Sequence, residues 1–435
     1  MTRPDETDPR HAVDRAAARD DDPLEPAARD VIGLDPASFR ALATRAVELI
    51  SDALGEHERA PARRWMPRAL REQLLAEPLP TVGRAPAEIL ARVEREVLAY
   101  PMGNNSPRFF AWVNSTAAPL GILGELLAAA HNPSVAGGDH SATHVERVVV
   151  RWLRELVGLE PGGAGLLTSG GSVANLIGLG AMRHAHTGGD ARRVGLQGGG
   201  APLVIYASVE AHSCVEKAAI LLGFGSDHLR RIPVDDARRI ELGALARAIA
   251  EDRRAGLRPA CVVASAGTVN TGAVDPFDAL ADLCARERLW LHVDGAYGAL
   301  GRLARPELYR GLERADSLAI DPHKWMYIPV ECGCALVRDA ALLRAAYSLV
   351  PAYLRDDAED PWFAEYGVQQ TRGFRALKLW MVLQQVGAEG YRALVRRDIA
   401  LAAALARMID EHPALERRSD GPLSVVCFRH RAPPG

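Results

Sequence analysis

From about residue 164 onward, short apolar runs alternate with stretches of helical periodicity, and this alternation constrains the fold more than any other feature of the chain. The runs cover 165–168, 201–207, 260–265, 289–293, 317–320 and 333–337, and helices are predicted over 172–184, 213–223, 241–252 and 276–287. Strands that are apolar throughout are buried on both faces, and strands separated by helices pair in parallel. The fold class is therefore α/β, a mostly parallel sheet with helices on both faces. Such sheets bind ligands beyond the carboxyl ends of their strands, so the polar residues just after each run are the candidates for function.

The flanks read differently. Residues 1–30 are rich in Asp, Arg, Ala and Pro and poor in large apolar side chains, the composition of a disordered tail. A helical pattern then begins at Asp35 with Phe39, Leu42, Ala43, Val47 and Ile50 on one face. A Pro-rich link at 77–80 leads to a helix over 86–99, a Gly/Asn/Pro loop at 101–107 and two helices over 118–131 and 144–157. Residues 188–200 are expected to form a surface loop. Beyond 373 come a helix bearing Phe374, Leu377, Trp380 and Met381, another over 391–410, and a strand-like run at 423–428. The expected division is a helical N-terminal domain over 31–105, a large domain over 106–380 and a small C-terminal domain over 381–435.

Several classes of function drop out on charge and hydropathy. With 52 basic and 55 acidic side chains and a formal charge of −3, the 435-residue chain has no field that would draw in nucleic acid or an anionic membrane. No apolar run approaches the ~18 residues that would span a bilayer. The N-terminus has no apolar core of a secretory signal. Six scattered Cys without paired spacing read as reduced thiols of a cytoplasmic protein, with no metal site. The basic residues are 49 Arg and only three Lys, at 217, 324 and 378. Where Arg serves every ordinary surface charge, a surviving Lys is a candidate for amine chemistry, because Arg does not lose its proton. Lys217 and Lys378 fall in amphipathic helices and are expected to be solvated or to face a partner.

Three motifs follow strand ends. Thr168-Ser169-Gly170-Gly171-Ser172 opens a helix, where small residues and free N–H groups suit a phosphate or simply make a tight turn. Leu291-His292-Val293-Asp294-Gly295-Ala296 ends an apolar strand in a carboxylate, which acts either as a cap or as a partner for a protonated ring nitrogen. Asp321-Pro322-His323-Lys324-Trp325 places a Lys in a turn, where it can form a Schiff base with an aldehyde. His212 and Thr268 follow two further strand ends. A phosphate cradle, a strand-end Asp, a His able to stack and a Schiff-base Lys together meet the needs of pyridoxal 5'-phosphate (PLP).

With these motifs in this order, the chain resembles the group II PLP-dependent decarboxylases, which include aromatic-L-amino-acid and glutamate decarboxylases. The resemblance runs from about Arg40 to the C-terminus. Asp321-Pro322-His323-Lys324-Trp325 is its most specific piece. It is supported by Pro107-Arg108-Phe109-Phe110, Gly170-Gly171-Ser172, Ala211-His212-Ser213, His292-Val293-Asp294-Gly295-Ala296 and Arg372-Gly373-Phe374-Arg375-Ala376-Leu377-Lys378. The resemblance implies the type I fold with a seven-stranded sheet, an obligate homodimer, and decarboxylation of an L-amino acid to its amine. Residue by residue it implies that Lys324 holds the cofactor, Asp294 pairs with its ring nitrogen, and Ala296 and His212 cover the two ring faces. Gly171, Ser172 and His323 would reach the phosphate region and Thr268 the ring edge. Trp112, Val113 and Asn114 would line an apolar or aromatic side-chain pocket, unless Trp112 is core at a domain junction.

Two places depart from the family pattern. A Ser-Pro-Ala segment is replaced by Ser141-Ala142-Thr143, and the C-terminal domain is expected to be incomplete because the chain ends soon after 428. The family's proton donor is a Tyr on a mobile loop before Arg372. Counting back without gaps puts Phe363 there, and a small shift offers Tyr366, which is the expected donor unless it merely packs against the helix after the loop. A Phe at that place goes with an aldehyde product, as in aromatic aldehyde synthases. Two further readings stay open at the level of sequence: decarboxylation of glutamate or aspartate, and a catalytically inactive PLP-binding homologue.

Overall fold

The computed structural model describes residues 32–56, 61–197, 200–349 and 361–431. The expected disordered tail, 1–30, lies outside them. Met1–Pro107 and Arg108–Gly435 form two compact units. In the first, α1 (Pro36–Glu56), α2 (Arg68–Leu75) and α3 (Pro86–Val93) are helical, and α3 continues as a wider π-turn over Glu94–Leu98. Asp35 caps α1 by accepting the Ala37 and Ser38 amides at 2.9 and 3.0 Å.

The second unit begins with α4 (Pro119–His131) and α5 (Ser141–Val157). It continues through β1 (Ala164–Thr168), α6 (Gly171–Thr187), α7 (Asp190–Val194), β2 (Leu203–Ser208), α8 (Ser213–Leu221), β3 (Leu229–Ile232) and α9 (Leu242–Arg254). Then come β4 (Arg258–Ser265), α10 (Phe277–Glu287), β5 (Trp290–Asp294), β6 (Ser317–Ile320), β7 (Gly333–Val337), α11 (Ala340–Tyr347), α12 (Ala376–Glu411), β8 (Leu415–Arg417) and β9 (Phe428–His430). The first seven strands form one sheet in the order β1-β7-β6-β5-β4-β2-β3. It is parallel except for β7, which runs against both β1 and β6. Alternate side chains of one strand enter two different apolar cores. Val262 and Ala264 of β4 pack with α5, α9, α10 and α12, while Cys261 and Val263 pack with α6, α8 and α11. The sheet is thus covered on both faces, as its uninterrupted apolar runs require.

Four expectations need correcting. The stretch 188–200 holds a short helix, α7. The helices predicted from 374 and over 391–410 are one helix, α12, kinked at Gly387 with φ 67°. The run 423–428 is not a strand until Phe428. Leu423 instead plugs the core beside Gly298 and Gly301, and the Ser424 amide donates to the Tyr297 hydroxyl at 2.9 Å, so this backbone is used elsewhere. Finally, β3 has no apolar run to announce it. It carries two Arg on a sheet edge, where one side needs no apolar side chains.

Candidate active site

At the carboxyl edge of the sheet lies a cavity of about 360 Å³, a size suited to a small ligand. Its walls are the turns after β1, β4, β5 and β6, together with the start of α8. Gly171, Ser172, His212, Thr268, Asp294, Ala296, His323 and Lys324 all line it, so the structure brings these eight candidates together. Gly171 leaves no room for a side chain, since a Cβ there would come within 2.8 Å of Asp321 Oδ2 and 2.9 Å of Ala296 Cβ. The Thr268 hydroxyl is shared with Thr271 at 2.6 Å and accepts the Ala273 amide at 3.2 Å, so it shapes the turn at the cavity wall. His212 caps α8 with its own ring, Nδ1 accepting the Cys214 amide at 3.1 Å.

Lys324 Nζ lies 3.1 Å from Asp321 Oδ2. The turn that carries both is held from several sides. His323 Nδ1 accepts the Cys332 amide at 3.1 Å, which leaves the ring proton on Nε2. Burial lowers the His323 pKa and favours the neutral ring. Trp325 stacks on Tyr297 with centroids 5.1 Å apart. Asp398, beyond the kink of α12, accepts Trp325 Nε1 at 2.9 Å and the Tyr327 hydroxyl at 2.6 Å. The Tyr391 hydroxyl donates to the Met326 carbonyl at 3.0 Å.

Asp294 accepts the Ala296 amide at 3.2 Å and faces Cys214 Sγ at 3.8 Å. Burial, and then the Asp294 charge, push the Cys214 thiol up, so it faces the carboxylate as S–H. Behind them runs a polar chain that the sequence reasoning missed. Trp290, His292 and Asp294 share one face of β5 by alternation. Trp290 Nε1 donates to Ser317 Oγ at 2.8 Å, and Ser317 lies 2.7 Å from His292 Nδ1. His292 Nε2 lies 2.7 Å from Asn175 Oδ1, while Asn175 Nδ2 donates to the Gly171 carbonyl at 2.8 Å and to Cys214 Sγ at 3.4 Å. The Asn175 amide orientation makes His292 a donor at Nε2 and an acceptor at Nδ1, hence neutral. Full burial, opposed by the Asp294 charge, lowers its pKa to about 4. Asn175 thereby ties the glycine turn to the Asp294 end of the cavity. Polar residues at every second place of an otherwise apolar strand were the available signal.

The remaining candidates stand elsewhere. Trp112, Val113 and Asn114 are not among the cavity-lining residues. Trp112 is 71% exposed, so it is not core either, while Val113 packs against the first core. Their segment is nonetheless tied to the Lys324 turn, because Ser115 Oγ donates to the His323 carbonyl at 2.9 Å and the Ala118 amide to the Tyr327 carbonyl at 2.7 Å. Tyr366, the expected donor, does not line the cavity in this chain. It sits partly buried against the second core, edge-on to Phe363 at 6.4 Å. Phe363 is buried in that core, with the Arg372 guanidinium 5.0 Å from its ring centroid. Both aromatic rings are thus taken up by packing, and residues 350–360 of the same loop lie outside the described residues. Lys378 is not solvated: it is 1% exposed, bonded to Glu125 and to the Pro329 and Glu331 carbonyls at 2.8 and 2.9 Å. Lys217 is exposed, as expected.

The pyridoxal-dependent decarboxylase conserved domain matches residues 67–431. Aromatic-L-amino-acid decarboxylase of Bacillus atrophaeus is 33% identical, covering 91% of this chain and 82% of the relative. Tyrosine decarboxylase of Oryza sativa subsp. japonica is 36% identical, covering 94% and 80%. Among solved structures, Oryza sativa TDC with PLP and tryptamine superposes with a TM-score of 0.84 at 31% identity, covering 94% of this chain and 85% of that one.

Proposed function

The chain belongs to the pyridoxal-dependent decarboxylase family, and from that premise we propose that it decarboxylates an aromatic or bulky apolar L-amino acid to the amine and carbon dioxide. It is a PLP-dependent carboxy-lyase of fold type I. The observation that carries the detailed reading is the joint presence, in one cavity, of a Lys amine, a strand-end carboxylate and a glycine turn too tight for any side chain. That set fits the cofactor by chemistry: an amine for its aldehyde, an anion for its ring nitrogen, and a helix start led by two glycines for its phosphate.

When bound, PLP supplies an electron sink for the bond that breaks at Cα. In this reading Lys324 holds the cofactor, and Asp294 keeps the ring nitrogen protonated. Ala296 and His212 would confine the ring, Gly171, Ser172 and His323 would hold the phosphate end, and Thr268 would stand at the ring edge. These residues would position the substrate for the chemistry the cofactor supplies, which would be the protein's main contribution to rate. The aromatic preference is supported by the substrates named for the two relatives. The test is carbon dioxide release from each of the common amino acids and DOPA, with the product identified. Tryptophan, tyrosine, phenylalanine or DOPA should be preferred and the amine formed. Preference for glutamate or aspartate would overturn the substrate, and aldehyde with peroxide would overturn the product.

The assembly in this reading is a cytoplasmic homodimer. Phe110, Trp112, Leu123, Leu126 and Leu127 form an exposed apolar set that a second copy would cover, and all six Cys are unpaired. Sedimentation at the mass of a monomer would refute the dimer. No helix among the described residues is long and apolar enough to cross a membrane.

A further inference from the structure

Three carboxylates line the cavity, Asp294 and Asp321 from neighbouring strands and Glu331, paired with Arg375, from the loop before β7, and the proposed decarboxylation uses only Asp294. Asp321, the residue just after β6, is almost fully buried. Its Oδ2 contacts Lys324 Nζ at 3.1 Å and lies 3.6 Å from His323 Nε2, while its Oδ1 is buried without a hydrogen-bond partner. It also flanks the glycine turn, since Oδ2 is the atom that a side chain at Gly171 would strike. A carboxylate beside a site for a phosphate is unfavourable as an anion and favourable as a neutral donor. Burial raises the Asp321 pKa, and Lys324 and His323 oppose the shift. The other titratable groups around it are Asp294 from β5, Cys214 from α8 and Cys332 before β7.

We propose that Asp321 is the base that readies Lys324 for its cofactor: it takes the proton of the Lys324 ammonium and keeps it as a neutral carboxyl beside the glycine turn. The proton moves from Nζ to a carboxylate oxygen, giving a free amine and an uncharged acid. The nitrogen lone pair then forms the C=N bond to the aldehyde carbon, and the aldehyde oxygen leaves as water with the two remaining amine protons. The charge on Asp321 is thereby removed as the phosphate arrives, and its orphaned oxygen gains a use. This rests on Lys324 being the residue that holds the cofactor.

The test is cofactor capture by enzyme stripped of PLP, followed by stopped-flow absorbance between pH 6 and 9. Pyridoxamine phosphate, which has no aldehyde, reports non-covalent binding in parallel. Asp321→Asn should bind pyridoxamine phosphate within about threefold of wild type yet capture PLP roughly a hundredfold more slowly at pH 7. Its rate should also climb about tenfold per pH unit, because Lys324 must then lose its proton to solvent, whereas the wild-type rate stays flat. Capture at the wild-type rate would overturn the proposal. So would an equal loss of pyridoxamine phosphate binding, which would make Asp321 part of the cavity wall and nothing more. If Asp321→Asn does not fold, Asp321→Ser carries the same comparison. Capture that survives in Lys324→Ala would instead displace Lys324 from its role, an outcome separate from either result at Asp321.

Discussion

Lys378 is buried and Lys324 faces a cavity, both sit in motifs shared with a decarboxylase family, and their surroundings ask opposite things of an amine. Lys378 is surrounded by acceptors: the Glu125 carboxylate and the Pro329 and Glu331 carbonyls take up its three protons. Lys324 meets a single carboxylate, and its remaining surroundings are open cavity. An ammonium with three acceptors is a structural cation, whereas one with a single basic neighbour can give a proton away. Scarcity of Lys in an Arg-rich chain marks both positions without separating them. At 378 a compact ammonium is met by three converging acceptors, and at 324 a guanidinium could not do the chemistry.

The sharpest way to break the comparison is Lys324→Arg. The charge beside Asp321 remains, so thermal stability should hold to within about 0.5 kcal/mol, as for substitutions that leave no buried group unpaired. Turnover should disappear altogether. Borohydride reduction of the wild type and peptide mapping should place the pyridoxyl group on Lys324, and label on Lys217 or Lys378 would reverse the assignment. Lys378→Met should do the converse. It strands two carbonyls and a half-exposed Glu125, at a cost of about 3 kcal/mol by denaturant unfolding. Borohydride labelling at Lys324 should persist in the molecules that remain folded. A destabilisation below about 0.5 kcal/mol would mean that solvent replaces those acceptors easily.

The smallest effect concerns an interior group kept neutral. The His292 pKa lies near 4 in the folded chain, and its ordinary value is 6.5. The unfolded state therefore binds the extra proton first. Stability is complete above pH 6.5, falls as pH drops from 6.5 towards 4, and loses about 2 kcal/mol from this residue by pH 5. His292→Gln should flatten that part of the stability profile relative to wild type. An unchanged slope would show that His292 already carries its proton in the folded protein.

The strands that build the site were legible because burial on both faces demands uninterrupted apolar runs, and Asp294, Lys324, His212 and Thr268 follow such runs directly. The illegible parts depended on partners distant in the chain. Asn175 reads as an ordinary helix residue until His292 and Cys214 are set beside it. Lys378 looks amphipathic in periodicity and becomes buried only because α4 brings Glu125 over it. The run at 423–428 has the apolar content of a strand, but Leu423 and Ser424 are claimed by the turn around Tyr297 and Gly298. Counting along a loop puts Phe363, or with a small shift Tyr366, at the donor place, and counting carries no information about which aromatic ring the core will take.

The anchorage of the Lys324 turn by α12 also has a consequence in time. Asp398 follows Tyr327 by 71 residues, and at about 5–20 residues per second a ribosome needs roughly 4–14 s to add them. Until then the turn lacks the carboxylate that accepts from both Trp325 and Tyr327. A nascent chain can complete most of the sheet in that interval, but it cannot yet present Lys324 in its final position. Cofactor capture therefore follows synthesis of the second half of α12, and a translational pause before it would lengthen the period in which the protein exists only as an unfinished apoenzyme.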